Sequence, residues 1–122
     1  MAKYVTFFSY TAEAAARMVA DPEDRAEAAR TVVEGVGGRL EGLYWMFGDH
    51  DGLVIYDVPD ATIAAAVAIA VAASGRMKSM KTVQLLDAGE IQGALESAKA
   101  IATTYKPPGG RGPWHEGYDE LG

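Results

Sequence analysis

The segment GDHDG, residues 48–52, places one histidine between two carboxylates. His50 lies between Asp49 and Asp51, and neighbouring carboxylates raise the basicity of an imidazole, so His50 is a candidate catalytic base. The same residue types suit a metal ion or a plain hairpin turn, which favours Asp and Gly. Because the chain has only two histidines and no second histidine–carboxylate cluster at ligand spacing, we predict no metal site.

A second candidate group lies near the N-terminus. Tyr4, Thr6, Phe8 and Tyr10 alternate with other residues, so in a strand they share one face. This face would form an aromatic wall with hydroxyl groups, which suits a small planar or apolar ligand if it lines a space between the sheet and a partner. The alternative is that these side chains simply pack across a dimer.

Two further side chains complete the predicted site. Tyr44 could supply a proton, as could Tyr10 or His50. Glu41 interrupts an apolar strand, which predicts either a position at the strand rim or a carboxyl group in a pocket. No serine lies in a G-x-S-x-G motif, and the glycines at 35–38 end a helix instead of opening one, so neither a serine nucleophile nor a phosphate loop is predicted.

Composition limits the class of protein. A chain of 122 residues makes one ordinary domain, and without cysteine it has no disulfide or thiolate metal site. The net charge of −6 and the absence of Lys/Arg clusters exclude an electrostatic footprint for nucleic acid. No signal-peptide pattern begins the chain and no apolar run reaches the ~20 residues of a membrane span, so we expect a cytoplasmic protein without membrane contact or cofactor.

The elements that would position these residues follow from periodicity, caps and turns. Strands are predicted at 3–10, 40–47, 53–58 and 77–86, and helices at 14–19, 23–36, 60–73 and from 87 onward. Thr11, Asp60 and Asp87 read as caps, and Pro22 is placed in the first turn of the second helix. The order β-α-β-β-α-β with an extra C-terminal helix predicts an α+β, ferredoxin-like antiparallel sheet.

The central strands are apolar on both faces, which predicts self-association. Strand two is expected to direct residues 40, 42, 44 and 46 to one side and 43, 45 and 47 to the other. Helices cover one face, and a second copy of the chain would cover the other, giving a homodimer. In the alanine-rich helix at 61–73, Ile63, Val67 and Val71 form one apolar stripe and Ile69 lies off it. This helix either packs on its own sheet or makes a further subunit contact in a larger assembly.

The C-terminal segment has a different composition. Residues 106–122 hold three prolines and five glycines, so we predict a domain at 1–105 followed by a terminal arm. Disorder is one expectation for this arm, and docking of Trp114 and Tyr118 onto a neighbouring subunit is the other.

Five segments in order, KYVTFFSYT, GGRLEGLYW, FGDHDGLVIYDVPD, SGRMKSMKTVQLL and YKPPG, resemble the GYD-domain proteins over about residues 3–109. The resemblance implies a dimeric α+β barrel, a group that includes cofactor-free monooxygenases, isomerases, haem-binding dismutases and sensors. His50 stands where the family motif usually has tyrosine, and the literal GYD at 117–119 lies outside the matched region.

Three functions remain open at this point. The first is a homo-oligomeric module that binds a small apolar or aromatic ligand between sheet and partner. The second is a cofactor-independent enzyme, monooxygenase- or isomerase-like, acting on a small metabolite through His50, Tyr10 or Tyr44. The third is an accessory subunit that docks on a larger complex through its arm.

Overall fold

The structure, a computed structural model, describes residues 1–110. The strands are β1 (Ala2–Tyr10), β2 (Arg39–Trp45), β3 (Gly52–Val58) and β4 (Met77–Leu85), and the helices are α1 (Ala12–Ala20), α2 (Arg25–Gly35), α3 (Ala61–Ala73) and α4 (Ala88–Ala102). The strands form one antiparallel sheet in the order β2-β3-β1-β4. The predicted ferredoxin-like α+β fold is therefore confirmed.

Side-chain caps fix where the helices begin. Thr11, Asp60 and Asp87 each accept a hydrogen bond from a backbone N–H in the first turn, as predicted. The second helix begins later than expected, because Asp24 accepts from the N–H groups of the following turn and α2 starts at Arg25. Pro22 consequently lies before the helix and not in its first turn.

The core lies between one face of the sheet and the helices α2 and α3. We call this face, which carries Tyr4, Thr6, Phe8 and Tyr10, the helix-side face. A cluster of buried residues joins it to both helices: Tyr4, Val33, Tyr56, Val58 and Ala64. Val58 is completely buried, and Tyr56 is only 2% exposed. Apolar burial of this kind is the main force that holds helices against a sheet.

The opposite face of the sheet carries a second apolar group. It comprises Val5, Phe7, Leu53, Ile55 and Val83, which the strand register brings side by side. Val5 is buried by its neighbours, whereas Val83 at the edge strand remains 37% exposed. The expectation of an apolar second face is thus met for β3, whereas β2, which was expected to be central, is an edge strand.

A β-bulge in β2 changes the predicted facing of one residue. Leu40 pairs with Tyr56 and Gly42 pairs with Ile55, so Glu41 is the extra residue of the bulge. Leu40 therefore packs against the helix-side core, although simple alternation placed it on the same side as Gly42. Simple alternation fails here because the extra residue of a bulge reverses which side of the sheet the following side chains face.

The chain divides into two compact units, Met1–Leu85 and the segment that begins at Leu86. The second unit contains α4, in which Asp87 and Glu90 form a reciprocal capping box. The predicted division after residue 105 stays a prediction. The arm from residue 111 onward, with Trp114, Tyr118 and the GYD tripeptide, lies outside the described residues. No helix within residues 1–110 is long and apolar enough to cross a membrane.

Candidate functional site

A cavity of about 160 Å³ lies between the helix-side face and the helices α2 and α3, entirely within the first unit. Its walls come from β1, β2, β3, β4 and the two helices: Thr6, Phe8, Tyr10, Arg25, Ala28, Ala29, Val32, Val33, Leu43, Val54, Tyr56, Val67, Ala68, Val71, Met77 and Met80. Most of these side chains are apolar. A cavity of similar volume with an apolar lining is known to hold a benzene-sized molecule.

Small residues on the helices create this space. Ala28 and Ala29 of α2 and Ala68 of α3 face the sheet where larger side chains would fill the gap. Val67 and Val71 form the predicted apolar stripe of α3, and Ile69, which lies off that stripe, is 68% exposed. The stripe therefore packs on the sheet of the same chain, as one of the two interpretations of this helix expected.

A closed hydroxyl network lies at one end of the cavity. The Thr6 hydroxyl is 2.9 Å from the Tyr56 hydroxyl and 2.8 Å from the Thr82 hydroxyl. Thr6 and Tyr56 are both buried, and each finds its hydrogen-bond partner within the protein. This end of the cavity is polar in composition but carries no charge.

The other end of the cavity contains Tyr10 and Arg25. Tyr10 lies four residues beyond Thr6 on β1, about 13 Å along the strand at ~3.3 Å per residue, and Arg25 is the first residue of α2. The Tyr10 hydroxyl makes the largest contribution to raising the pKa of the Arg25 guanidinium, burial lowers that pKa, and Glu23 raises it again. Arg25 also donates a hydrogen bond to the Glu23 carboxylate, and its side chain is 31% exposed.

Aromatic rings hold the Tyr10 end in place. Tyr10 stacks on Trp45 at 5.7 Å between ring centroids, and Phe8 meets the edges of both rings at 5.4 and 6.2 Å. Such offset and edge-to-face pairs each add about 0.5–1.5 kcal/mol to stability. Tyr10 is therefore positioned by its aromatic neighbours.

His50 lies away from this cavity. Its ring is 5.5 Å from the ring of Phe7, which belongs to the opposite face of the sheet. The nitrogen Nδ1 of His50 is buried and has no hydrogen-bond partner within the described chain. The sheet thus separates the candidate base from the aromatic wall of Tyr4, Thr6, Phe8 and Tyr10.

The loop around His50 has a structural role. The Asp51 carboxylate accepts a hydrogen bond from the backbone N–H of Tyr10 at 2.8 Å. The Asp51 backbone N–H donates to the carbonyl of Phe8, and the Ser9 hydroxyl donates to the carbonyl of Asp49. These contacts tie the hairpin to β1, which agrees with the turn interpretation of GDHDG.

Glu41 and Tyr44 also lie apart from the cavity lining. The Glu41 carboxylate is 2.6 Å from the Lys3 amine, and this hydrogen bond is the main reason that the pKa of Lys3 is raised. The Tyr44 ring is 59% exposed and lies over Gly42. Of the predicted ligand residues, the structure therefore brings Thr6, Phe8 and Tyr10 together at the cavity and places Tyr4 in the adjoining core.

The helix side of the site is only partly visible in the sequence. The 3.6-residue stripe of α3 signalled that Val67 and Val71 face the sheet, but nothing marked Arg25 as a cavity residue. Within residues 1–110, no group of three or more histidine, cysteine or acidic residues could hold a metal ion.

Comparison with known proteins gives the family. The family model for the GYD domain matches residues 4–95, which is more than half of the chain. The chain belongs to the GYD-domain family. The matched range of the GYD domain includes every residue that lines the cavity and extends into α4.

A solved structure similar to this GYD-domain chain is the "Crystal structure of an uncharacterized NIPSNAP domain protein from Burkholderia xenovorans". It has 14% sequence identity and a TM-score of 0.42, with 72% of this chain and 95% of the other covered. No curated protein matches the chain.

Proposed function

We propose that this GYD-domain protein is a homodimeric module that binds a small apolar ligand in the cavity beneath α2 and α3. The observation that carries the proposal is the cavity of about 160 Å³ with an almost wholly apolar lining. The lining includes Val32, which is 43% exposed, so the cavity opens to solvent and an apolar ligand would displace water from an apolar surface.

The position of the ligand differs from the sequence hypothesis. That hypothesis placed it between the sheet and a partner subunit, whereas the wall formed by Thr6, Phe8 and Tyr10 faces the helices of its own chain. Because His50 lies on the opposite face, the proposal gives His50 no part in the cavity. Of the three side chains considered for proton transfer, only Tyr10 lines the cavity, and the hydroxyls of Thr6 and Tyr56 there bond to each other.

Toluene should stabilise the protein against thermal unfolding. A ligand that binds only the folded state adds RT ln(1 + [L]/Kd), so a tenfold excess over Kd contributes about 1.4 kcal/mol. For a domain of this size we expect the unfolding midpoint to rise by about 4–8 °C, measured by differential scanning calorimetry at increasing toluene. A midpoint that stays constant or falls at every toluene concentration would contradict ligand binding.

The homodimer rests on the opposite face of the sheet. Phe7 and Ile55, which are half-buried, form an apolar surface there, and Val83, which is 37% exposed, extends it to the edge strand. The same face of a second copy, related by a twofold axis, would remove this surface from water.

A charge placed on the opposite face should dissociate the dimer. We expect the wild-type chain to sediment as a dimer at micromolar concentration and Val83→Lys to sediment as a monomer, because burying an unpaired ammonium is costly. Ile69→Lys is the control, since Ile69 lies on the exposed side of α3 and its variant should remain dimeric. A monomeric wild-type chain in sedimentation velocity would overturn this part of the proposal.

A further inference from the structure

The cavity has a charged group at one end only. Among its described lining residues, Arg25 alone carries a charge. The end near Thr6 and Tyr56 has hydroxyl groups that satisfy one another, so it offers little to an ionic group. An anion that enters the cavity would therefore be held at the Arg25 end.

Arg25 and Tyr10 form a matched pair of donors at this end. Both side chains line the cavity, and the aromatic contacts with Phe8 and Trp45 fix the ring of Tyr10. A guanidinium and a phenol hydroxyl that line the same cavity can both donate to the two oxygens of a carboxylate. The guanidinium stays protonated at every physiological pH.

The third member of this group is Glu23. Its carboxylate accepts a hydrogen bond from Nη1 of Arg25, but the Glu23 side chain is 57% exposed. Exposed ion pairs contribute only about 0.2–1 kcal/mol, so a ligand carboxylate can compete with Glu23 for the guanidinium. Glu23 precedes α2 and lies outside any helix or strand, which leaves it free to rearrange.

We propose that the cavity of this GYD-domain protein selects an amphipathic monocarboxylate, with the apolar body between Phe8 and α3 and the carboxylate at Arg25 and Tyr10. This inference rests on the proposed function, because it names the ligand class of the same cavity. Glu23 holds the guanidinium when no ligand carboxylate is present and is displaced when the ligand binds. Thr6 and Tyr10 both line the cavity and lie about 13 Å apart along β1, so an extended acyl chain can lie along the strand between them.

Hexanoate and hexan-1-ol test the inference as a matched pair of probes. Isothermal titration calorimetry of the full chain at pH 7 would measure both dissociation constants. Arg25→Met keeps much of the apolar stem but removes the charge, so it should weaken hexanoate binding by about tenfold or more, since a charged hydrogen bond contributes about 1.5–3 kcal/mol. The same variant should change hexan-1-ol binding by less than about twofold, which also shows that it is folded.

Glu23→Gln should have the opposite effect on hexanoate affinity. Removing the competing carboxylate should tighten hexanoate binding by up to about fivefold and leave hexan-1-ol binding unchanged. If hexan-1-ol binds the wild-type chain, and Arg25→Met either weakens the binding of both probes equally or changes neither, the carboxylate assignment is wrong. The ligand cavity itself would then still stand. If neither probe binds to the wild-type chain, the carboxylate assignment and the proposed cavity function are both wrong.

Discussion

Ala68→Leu is expected to abolish toluene binding in the cavity and to raise the stability of the ligand-free chain. Ala68 lies on α3 and lines the cavity, so a leucine side chain there would occupy the space that the ligand uses. Filling a cavity commonly adds about 0.5–2 kcal/mol to the free energy of unfolding. Calorimetric unfolding with and without toluene measures both effects in one series.

Ala65→Leu is the matched control for this variant. Ala65 lies on the same helix, but its side chain is exposed, so leucine there adds apolar surface without entering the cavity. The two substitutions have the same intrinsic helix propensity change. If the Ala68→Leu variant were stabilised by toluene as strongly as the Ala65→Leu variant, the ligand would bind elsewhere.

Gly38→Ala is expected to destabilise the fold by about 3 kcal/mol. A Cβ atom at this position would lie 2.2 Å from the carbonyl oxygen of Asp57 and 3.0 Å from the side chains of Val33 and Val58. The oxygen belongs to the backbone of β3, so it cannot move aside without a shift of the strand. Gly38 immediately precedes β2 and lies beside the buried core, so a shift of β3 would disturb the packing of that core.

Gly35→Ala is the control for the glycine substitution. Gly35 is the last residue of α2, and a Cβ atom there would meet nothing within 4 Å. Alanine is favoured over glycine in helices by up to about 1 kcal/mol, so this variant should be neutral or slightly more stable. Urea denaturation measures the free energy of unfolding of both variants. A loss under 1 kcal/mol for Gly38→Ala would contradict the close packing around Gly38.

The order of elements and most of their ends were predictable because local chemistry encodes them. Thr11, Asp60 and Asp87 cap helices through their own side chains, and Gly37 ends α2 with a positive φ of 83°. These signals act within four or five residues, so no tertiary contact is needed to recognise them. Pro22 was misplaced because Asp24, three residues before Glu27, was the stronger cap.

The facing of β2 was less predictable. Alternation assigns sides correctly only while the register is unbroken, and the bulge at Glu41 breaks it. The ion pair of Glu41 with Lys3 joins β2 to β1 across the intervening strand β3, a contact between residues far apart in sequence. No local sequence pattern predicts such an ion pair.

The candidate site could be predicted on the sheet but not on the helices. The alternation of Thr6, Phe8 and Tyr10 in the sequence identifies one wall of the cavity. The separation of His50 from that wall depends on which face each side chain takes, and the opening residue of α2, Arg25, reaches Tyr10 only through tertiary packing. Residue type therefore grouped side chains that lie on opposite faces of the sheet.

The most direct test of the ligand cavity is the NMR spectrum of the protein labelled with 13C at its methionine methyl groups, recorded during a toluene titration. Met77 and Met80 line the cavity, whereas Met18 in α1 and Met46 in the hairpin do not. Met77→Leu and Met80→Leu would assign the two signals. We expect saturable shifts of the Met77 and Met80 methyl resonances with Met18 and Met46 unmoved. Shifts confined to Met18 or Met46, or no saturable shift of any methyl, would contradict the cavity as the binding site.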